Sequence, residues 1–161
     1  MKHLLSVSLA LALYLAPVRA AEVWRELGID QFGFIFDLPL DFDITDSYGD
    51  DGSTGMVFKN PEGDTIIVWG IDLDDADLLT QVEEQIRANE EEGWHFTHKQ
   101  LHQRWAAYSG VRDGMIRYVK VITVCHGRAA FFLMDYPQDR KEYYDPIVTR
   151  MEKSMRPDCS F

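Results

Sequence analysis

The sequence is short of three things, and each shortage narrows what it can be. Basic residues are few: 16 Lys and Arg stand against 27 Asp and Glu, a formal charge of −11 at pH 7. Nucleic acid and anionic membrane surfaces both need a basic footprint, so neither is expected as a partner. Beyond residue 20, no apolar run approaches the ~20 residues of a membrane-spanning helix, and no membrane anchor is expected. Cysteine is limited to Cys125 and Cys159. Neither has a neighbouring Cys or a His at metal or nucleophile spacing, which argues against zinc and thiol catalysis. Also missing are Gly-x-Ser-x-Gly, His-Glu-x-x-His, a phosphate loop, internal repeats and low-complexity tracts. No catalytic residues, cofactor or metal are therefore expected, and the chain reads as a non-enzyme.

The longest apolar run stands at the front. Lys2 and His3 precede Leu4 to Ala16, and Val18-Arg19-Ala20 places small side chains where a signal peptidase reads, predicting cleavage before Ala21. Residues 1–20 are expected to be a signal peptide that exports the chain, most simply into a bacterial periplasm. No Cys stands at the cleavage point to carry a lipid. Residues 21–161 are of a size for one domain with a proper core. Losing Lys2 and Arg19 makes the chain more acidic still, which leaves a basic partner or plain solubility as the meaning of the charge. In an oxidising compartment Cys125 and Cys159 are expected to pair as a disulfide. The alternative is a buried Cys125 and a disordered tail.

Met115 to Tyr136 is the stretch around which the rest is organised. Two β-branched and aromatic runs flank His126-Gly127, which reads as a two-residue hairpin loop. Opposed residues would then have numbers that sum to 253, with Val119 facing Met134 and Val121 facing Phe132. Both faces are apolar, so other elements must cover the hairpin above and below. Lys120 is the exception, its stem expected on the sheet and its ammonium on Asp135.

The remaining elements follow from period and punctuation. Glu22 to Ile29 reads as an amphipathic lead-in. Phe32 to Pro39 reads as an edge strand, because Pro cannot donate to a ladder. Asp41 to Tyr48 reads as a strand with one wet face, and Thr54–Lys59 and Thr65–Ile71 as a pair joined by Asn60-Pro-Glu-Gly-Asp64. From Asp72 the period becomes helical, with Leu78, Leu79, Val82 and Ile86 on one face and aspartates where a helix N-terminus favours them. Trp94–His102 and Trp105–Gly110 read as strands, Asp113-Gly114 as a tight turn, and the segment after Pro137 as a helix carrying Tyr144, Ile147, Val148, Met151 and Met155 inward. The expected fold is α+β: a predominantly antiparallel sheet of about eight strands sandwiched with two helices in an α/β/α arrangement.

Gly33-Phe34-Ile35-Phe36-Asp37-Leu38-Pro39-Leu40-Asp41-Phe42, the Phe58 to Val68 strand pair, the helix after Asp72 and the late hairpin before a terminal helix together resemble the PsbP-like (Mog/PsbP-like) superfamily, in its small exported bacterial members. The resemblance implies a PsbP-like α+β domain over residues 21–161. It also implies a binding or accessory role rather than catalysis.

The acidic residues supply the candidate contact surface. Asp72, Asp74, Asp75 and Asp77 cluster at the start of the first helix, with Glu83 at the last position of a twelve-residue calcium loop. That loop needs Gly where Asp77 stands and an oxygen ligand where Ala76 stands, so capping is preferred to calcium. Asp50 and Asp51 could extend the same edge toward a cationic partner. His98 and His102 would lie on the order of 13 Å apart along a strand with His95 on its other face, which excludes a local metal cluster. Trp69, Trp94 and Trp105 are read as core. Function then reduces to two classes. The first is a periplasmic, non-enzymatic binding protein with a protein partner, in its sharper form an immunity protein against a secreted toxin. The second is a small-ligand carrier or envelope enzyme, which would need a concave pocket with convergent polar groups.

Overall fold

The Met115 to Pro137 stretch does form the central hairpin, in a computed structural model that describes residues 23–49, 53–74 and 76–160. The expected signal peptide, Asp50, Asp51 and Asp75 lie outside the described residues. The hairpin strands are β8 (Met115–Val124) and β9 (Arg128–Pro137). Their loop holds three residues, not two: Val124 pairs with Arg128 around Cys125, His126 and Gly127. His126 and Gly127 both take positive φ, 61° and 70°, and such a pair suits a three-residue loop as well as a two-residue one. Opposed numbers therefore sum to 252, and Val119 faces Leu133 instead of Met134. A one-residue slip changes faces. Phe132 and Met134 lie with Lys120 and Tyr118, while Val119 and Val121 lie with Leu133 and Phe131.

Around this hairpin the chain builds a seven-stranded antiparallel sheet. On one side come β3 (Asp43–Gly49), β4 (Ser53–Lys59) and β5 (Thr65–Asp72); on the other, β6 (His95–His102) and β7 (Trp105–Arg112). Their order is β3-β4-β5-β9-β8-β7-β6. The turn at Asp113-Gly114 is as expected, with φ of 50° and 78° and Arg112 opposite Met115.

A second, three-stranded sheet differs from expectation. The lead-in is a strand, β1 (Trp24–Ile29), which pairs along the whole of β2 (Phe34–Pro39). On its other side β2 takes the two-residue β10 (Arg156–Pro157), so β2 is a middle strand and not an edge. Pro39 is tolerated because β10 reaches only Phe34 and Ile35.

The helices are α1 (Leu78–Glu91) and α2 (Lys141–Ser154), one on each face of the large sheet. Asp77 caps α1, its Oδ1 accepting from the Thr80 N–H at 2.8 Å. Leu78, Val82 and Ile86 then pack on Phe96, Tyr108, Val121 and Phe131, and the Tyr108 hydroxyl donates to Gln85 Oε1 at 2.9 Å. On the opposite face α2 shares the cover with β1 and β2. Tyr144, Ile147, Val148 and Met151 join Phe34, Phe36, Phe58, Ile66 and Phe132 in one cluster. The cover is incomplete: on the α2 side of β6, His98, Gln100 and His102 remain exposed.

Three fixtures hold the layers together. Cys125 and Cys159 are joined as a disulfide across a sequence separation of 34, their Cα atoms 5.8 Å apart, and the Asp158 N–H donates to the Gly33 carbonyl at 2.8 Å. Asp64 accepts from Tyr144, from Asn60 at 3.0 Å and from Arg140 at 3.1 Å, tying the β4–β5 connection to α2. Arg117 forks onto Asp135 at 2.8 and 2.6 Å and lies over the Trp94 ring.

Gly70 marks the tightest approach between the sheets, because a Cβ there would run into the Phe32 ring. Phe32 is 1% exposed and has nowhere to go. Gly70→Ala should therefore cost about 1 to 3 kcal/mol by overpacking, read as a lower denaturation midpoint with an unchanged slope.

Candidate functional site: an acidic sheet edge and a polar cleft

The six aspartates picked out from the sequence fare differently. β3 ends the large sheet, and the row Gly49, Thr54, Gly70 sets the ends of β3, β4 and β5 level. The Gly49 end of β3, the Ser53 start of β4 and the Asp72 end of β5 therefore lie at the same end of the sheet, and Asp74 and Asp77 follow from there toward α1. Asp72 holds Arg128 Nε at 2.9 Å, and Arg128 also donates to the Gln31 carbonyl at 2.6 Å. Asp77 is the helix cap described above. Asp74 is exposed with a positive φ of 47°.

β3 itself adds to this edge. All seven of its residues are exposed, not one face only. A register shift between Ile44 and Asp46 breaks the alternation that the sequence suggested. Its outer backbone groups face no other strand. Asp43 and Asp46 lie along it, with Ile44 56% and Tyr48 44% exposed, the profile of a contact edge that mixes charge with apolar anchors. Tyr48 lies across Gly55, its cross-strand neighbour.

The second feature was not visible in the sequence. Between α2 and the uncovered face of β6, β7 and β8 lies a cleft of about 370 Å³, within the range of ligand pockets. Its floor carries Val111, Ile116 and the rings of Tyr118 and Tyr136; its wall is the α2 face with Asp145, Val148, Thr149 and Glu152. Each carboxylate holds one lysine and lies beside one tyrosine. Asp145 accepts from the Tyr136 hydroxyl at 3.4 Å and from Lys141. Glu152 accepts from Lys120 at 3.1 Å and lies beside the Tyr118 hydroxyl. Burial, reinforced by these carboxylates, pushes both tyrosines far above their ordinary value, so they stay neutral donors.

Lys120 thus reaches Glu152 and not Asp135, because the register slip puts it on the α2 face opposite Phe132. Its ammonium also sits 4.0 Å over the Trp105 ring. Glu152, Lys120 and Trp105 line a shallower hollow that continues the cleft toward Pro157. Of the other tryptophans, Trp94 is buried between Arg112 and Arg117, and Trp69 stacks on Phe131 with ring centroids 4.8 Å apart. Trp105, half-buried, borders that hollow.

The histidines need one correction. A bulge between Phe96 and His98 puts His95 opposite Val111 and His98 opposite Ser109. Val111 and Ser109 both line the cleft, so His95 shares a face with His98 and His102. An extra residue in the strand was not legible from alternation alone. Among the described residues no three His, Cys, Asp or Glu side chains converge as metal ligands do.

No family model and no curated protein matches this sequence. Solved structures do. Cyanobacterial PsbP (CyanoP) from Synechocystis is similar with a TM-score of 0.64 at 15% identity, over 88% of this chain and 96% of that one. The Ran-binding protein Mog1p of Saccharomyces cerevisiae is similar with a TM-score of 0.59 at 12% identity, over 87% and 98%. At these identities the likeness is one of fold, and the chain has the PsbP-like α+β fold that the sequence resemblance implied.

Proposed function

We propose that this chain is an exported, non-enzymatic accessory protein that acts by binding a partner protein with a basic surface. In its sharper form it is an immunity protein of the periplasm, which plugs the active site of an incoming toxin. The observation that carries the reading is the acidic edge: a fully exposed terminal strand with Asp43, Asp46, Ile44 and Tyr48, whose Gly49 end lies at the end of the sheet where Asp72 leaves β5. Such an edge steers a cationic partner and offers it unpaired backbone groups. A fold neighbour that is itself a Ran-binding protein agrees with a protein-binding role.

The test is toxin-specific protection in cells, together with association kinetics of the two purified proteins. Asp72, Asp74, Asp75 and Asp77 are replaced together by Asn, which can still cap α1. The association rate should fall about tenfold or more at low salt, with a smaller difference at high salt. Protection and rate unchanged by the four substitutions would remove this edge as the contact.

A second reading, the small-ligand carrier, is favoured by one observation: the α2 cleft is concave and has convergent polar groups on an apolar floor.

A further inference from the structure

We propose that the cleft between α2 and the β6–β8 face binds an aliphatic amine, an ammonium group carried on a polymethylene stem. This rests on the carrier reading of the cleft and not on the acidic edge. The first argument is the balance of donors and acceptors. The charged donors at the cleft are already committed to carboxylates: Lys141 to Asp145, which also accepts from Tyr136, and Lys120 to Glu152. A carboxylate offers about four acceptor sites, so each keeps acceptor capacity after these bonds. The side chains of Asp145 and Glu152 are 45% and 34% exposed, open to a newcomer. A ligand rich in donors fits these open acceptors; an anion could draw on the lining hydroxyls of Thr97, Ser109 and Thr149 but would meet both carboxylates.

The protein also shows how it holds such a group. Lys120 is a resident alkylammonium: its ammonium lies 3.1 Å from Glu152 and 4.0 Å above the Trp105 ring, and its stem is buried on the sheet. At the other end of the cleft Asp145 holds Lys141 as its ammonium partner and also accepts from the Tyr136 hydroxyl. Lys141 differs in being an (i, i+4) neighbour with 58% of its side chain exposed. Such a surface pair is weak and exchangeable. Val111, Ile116 and Val148 then receive the methylenes of the incoming stem. Asp145 and Glu152 are seven residues apart on one helix, about 10 Å by helical rise, so a linear chain with amines at that spacing engages both.

Two sources carry this chemistry: a free linear polyamine, and lysine side chains of a basic peptide. The experiment is calorimetric titration of the full chain at low salt with spermidine, and separately with a lysine-rich peptide. A form of each acetylated at every amine serves as the uncharged control. Saturable 1:1 binding of spermidine assigns a free polyamine; binding of the peptide alone assigns a protein side chain. In either case Asp145→Asn and Glu152→Gln should each weaken binding at least tenfold, while Glu142→Gln, on α2 but outside the cleft, leaves it unchanged. Asn and Gln keep an acceptor for the tyrosine, which protects the fold. Should a variant unfold, shifts of the Tyr118 and Tyr136 ring resonances in the unaltered protein provide the second readout. No saturable binding of either probe at millimolar concentration, binding undiminished by the substitutions, or equal binding of the acetylated forms would overturn the proposal. Loss of amine binding leaves the acidic-edge contact untouched, so the two readings fail separately.

Discussion

Asp64→Ala is expected to cost about 3 to 5 kcal/mol of stability, chiefly the penalty for leaving two buried donors without their acceptor. The Asp64 side chain is 7% exposed, and its carboxylate is the hub for Asn60, Tyr144 and Arg140. Alanine leaves the Asn60 amide and the fully buried Tyr144 hydroxyl without that acceptor, and leaves Arg140 without its ion pair. The damage reaches beyond one loop because Tyr144 sits on α2 and Asp64 just before β5. Urea denaturation measures it. Tyr144→Phe, which removes one donor and keeps the ring, should cost less, about 1 to 3 kcal/mol. A near-neutral Asp64→Ala would show that the network is solvated and holds nothing together.

Cys125→Ser should cost about 4 kcal/mol in the chain-entropy account of a loop with this separation of 34 residues. For a domain of this size that corresponds to a melting temperature lower by on the order of 10 °C. The bond fastens the tail that carries β10 to the β8–β9 loop, so its loss also frees the Asp158 to Gly33 hydrogen bond and the two β10 pairs on β2. Reducing agent applied to the unaltered protein should reproduce the mutant's melting curve. Equal stability with and without reductant would mean that the tail is held by its other contacts.

The parts of the fold that sequence revealed are those written in strong local chemistry. Val, Ile and Phe runs gave the central hairpin, Asp113-Gly114 gave its turn, and Leu78, Val82 and Ile86 gave the buried face of α1. Two of the failures share a cause: one added residue. The third loop residue at Cys125 moved Lys120 from Asp135 to Glu152, and the bulge after Phe96 moved His95 to the face of His98. Neither insertion changes composition or hydrophobicity, so alternation alone could not place it. β1 was missed because Trp24 to Ile29 holds a Gly and two charges, and it is a strand only because β2 lies beside it. The polar cleft is less legible still. Its members come from five separate elements, and nothing in Tyr118 or Glu152 announces that they meet. The acidic edge was legible as charge, yet two of its six aspartates turn out to have structural duties, Asp72 on Arg128 and Asp77 at the cap.

The central claim, that the acidic edge binds a basic protein, is tested most directly by affinity capture from the protein's own envelope extract. The unaltered chain and the Asp72, Asp74, Asp75 and Asp77 to Asn variant are used side by side at low and moderate salt, with mass spectrometry of what stays bound. The account predicts one near-stoichiometric protein on the unaltered chain, released by salt and missing from the variant. The same protein held equally by both, or an empty column for both, would contradict it.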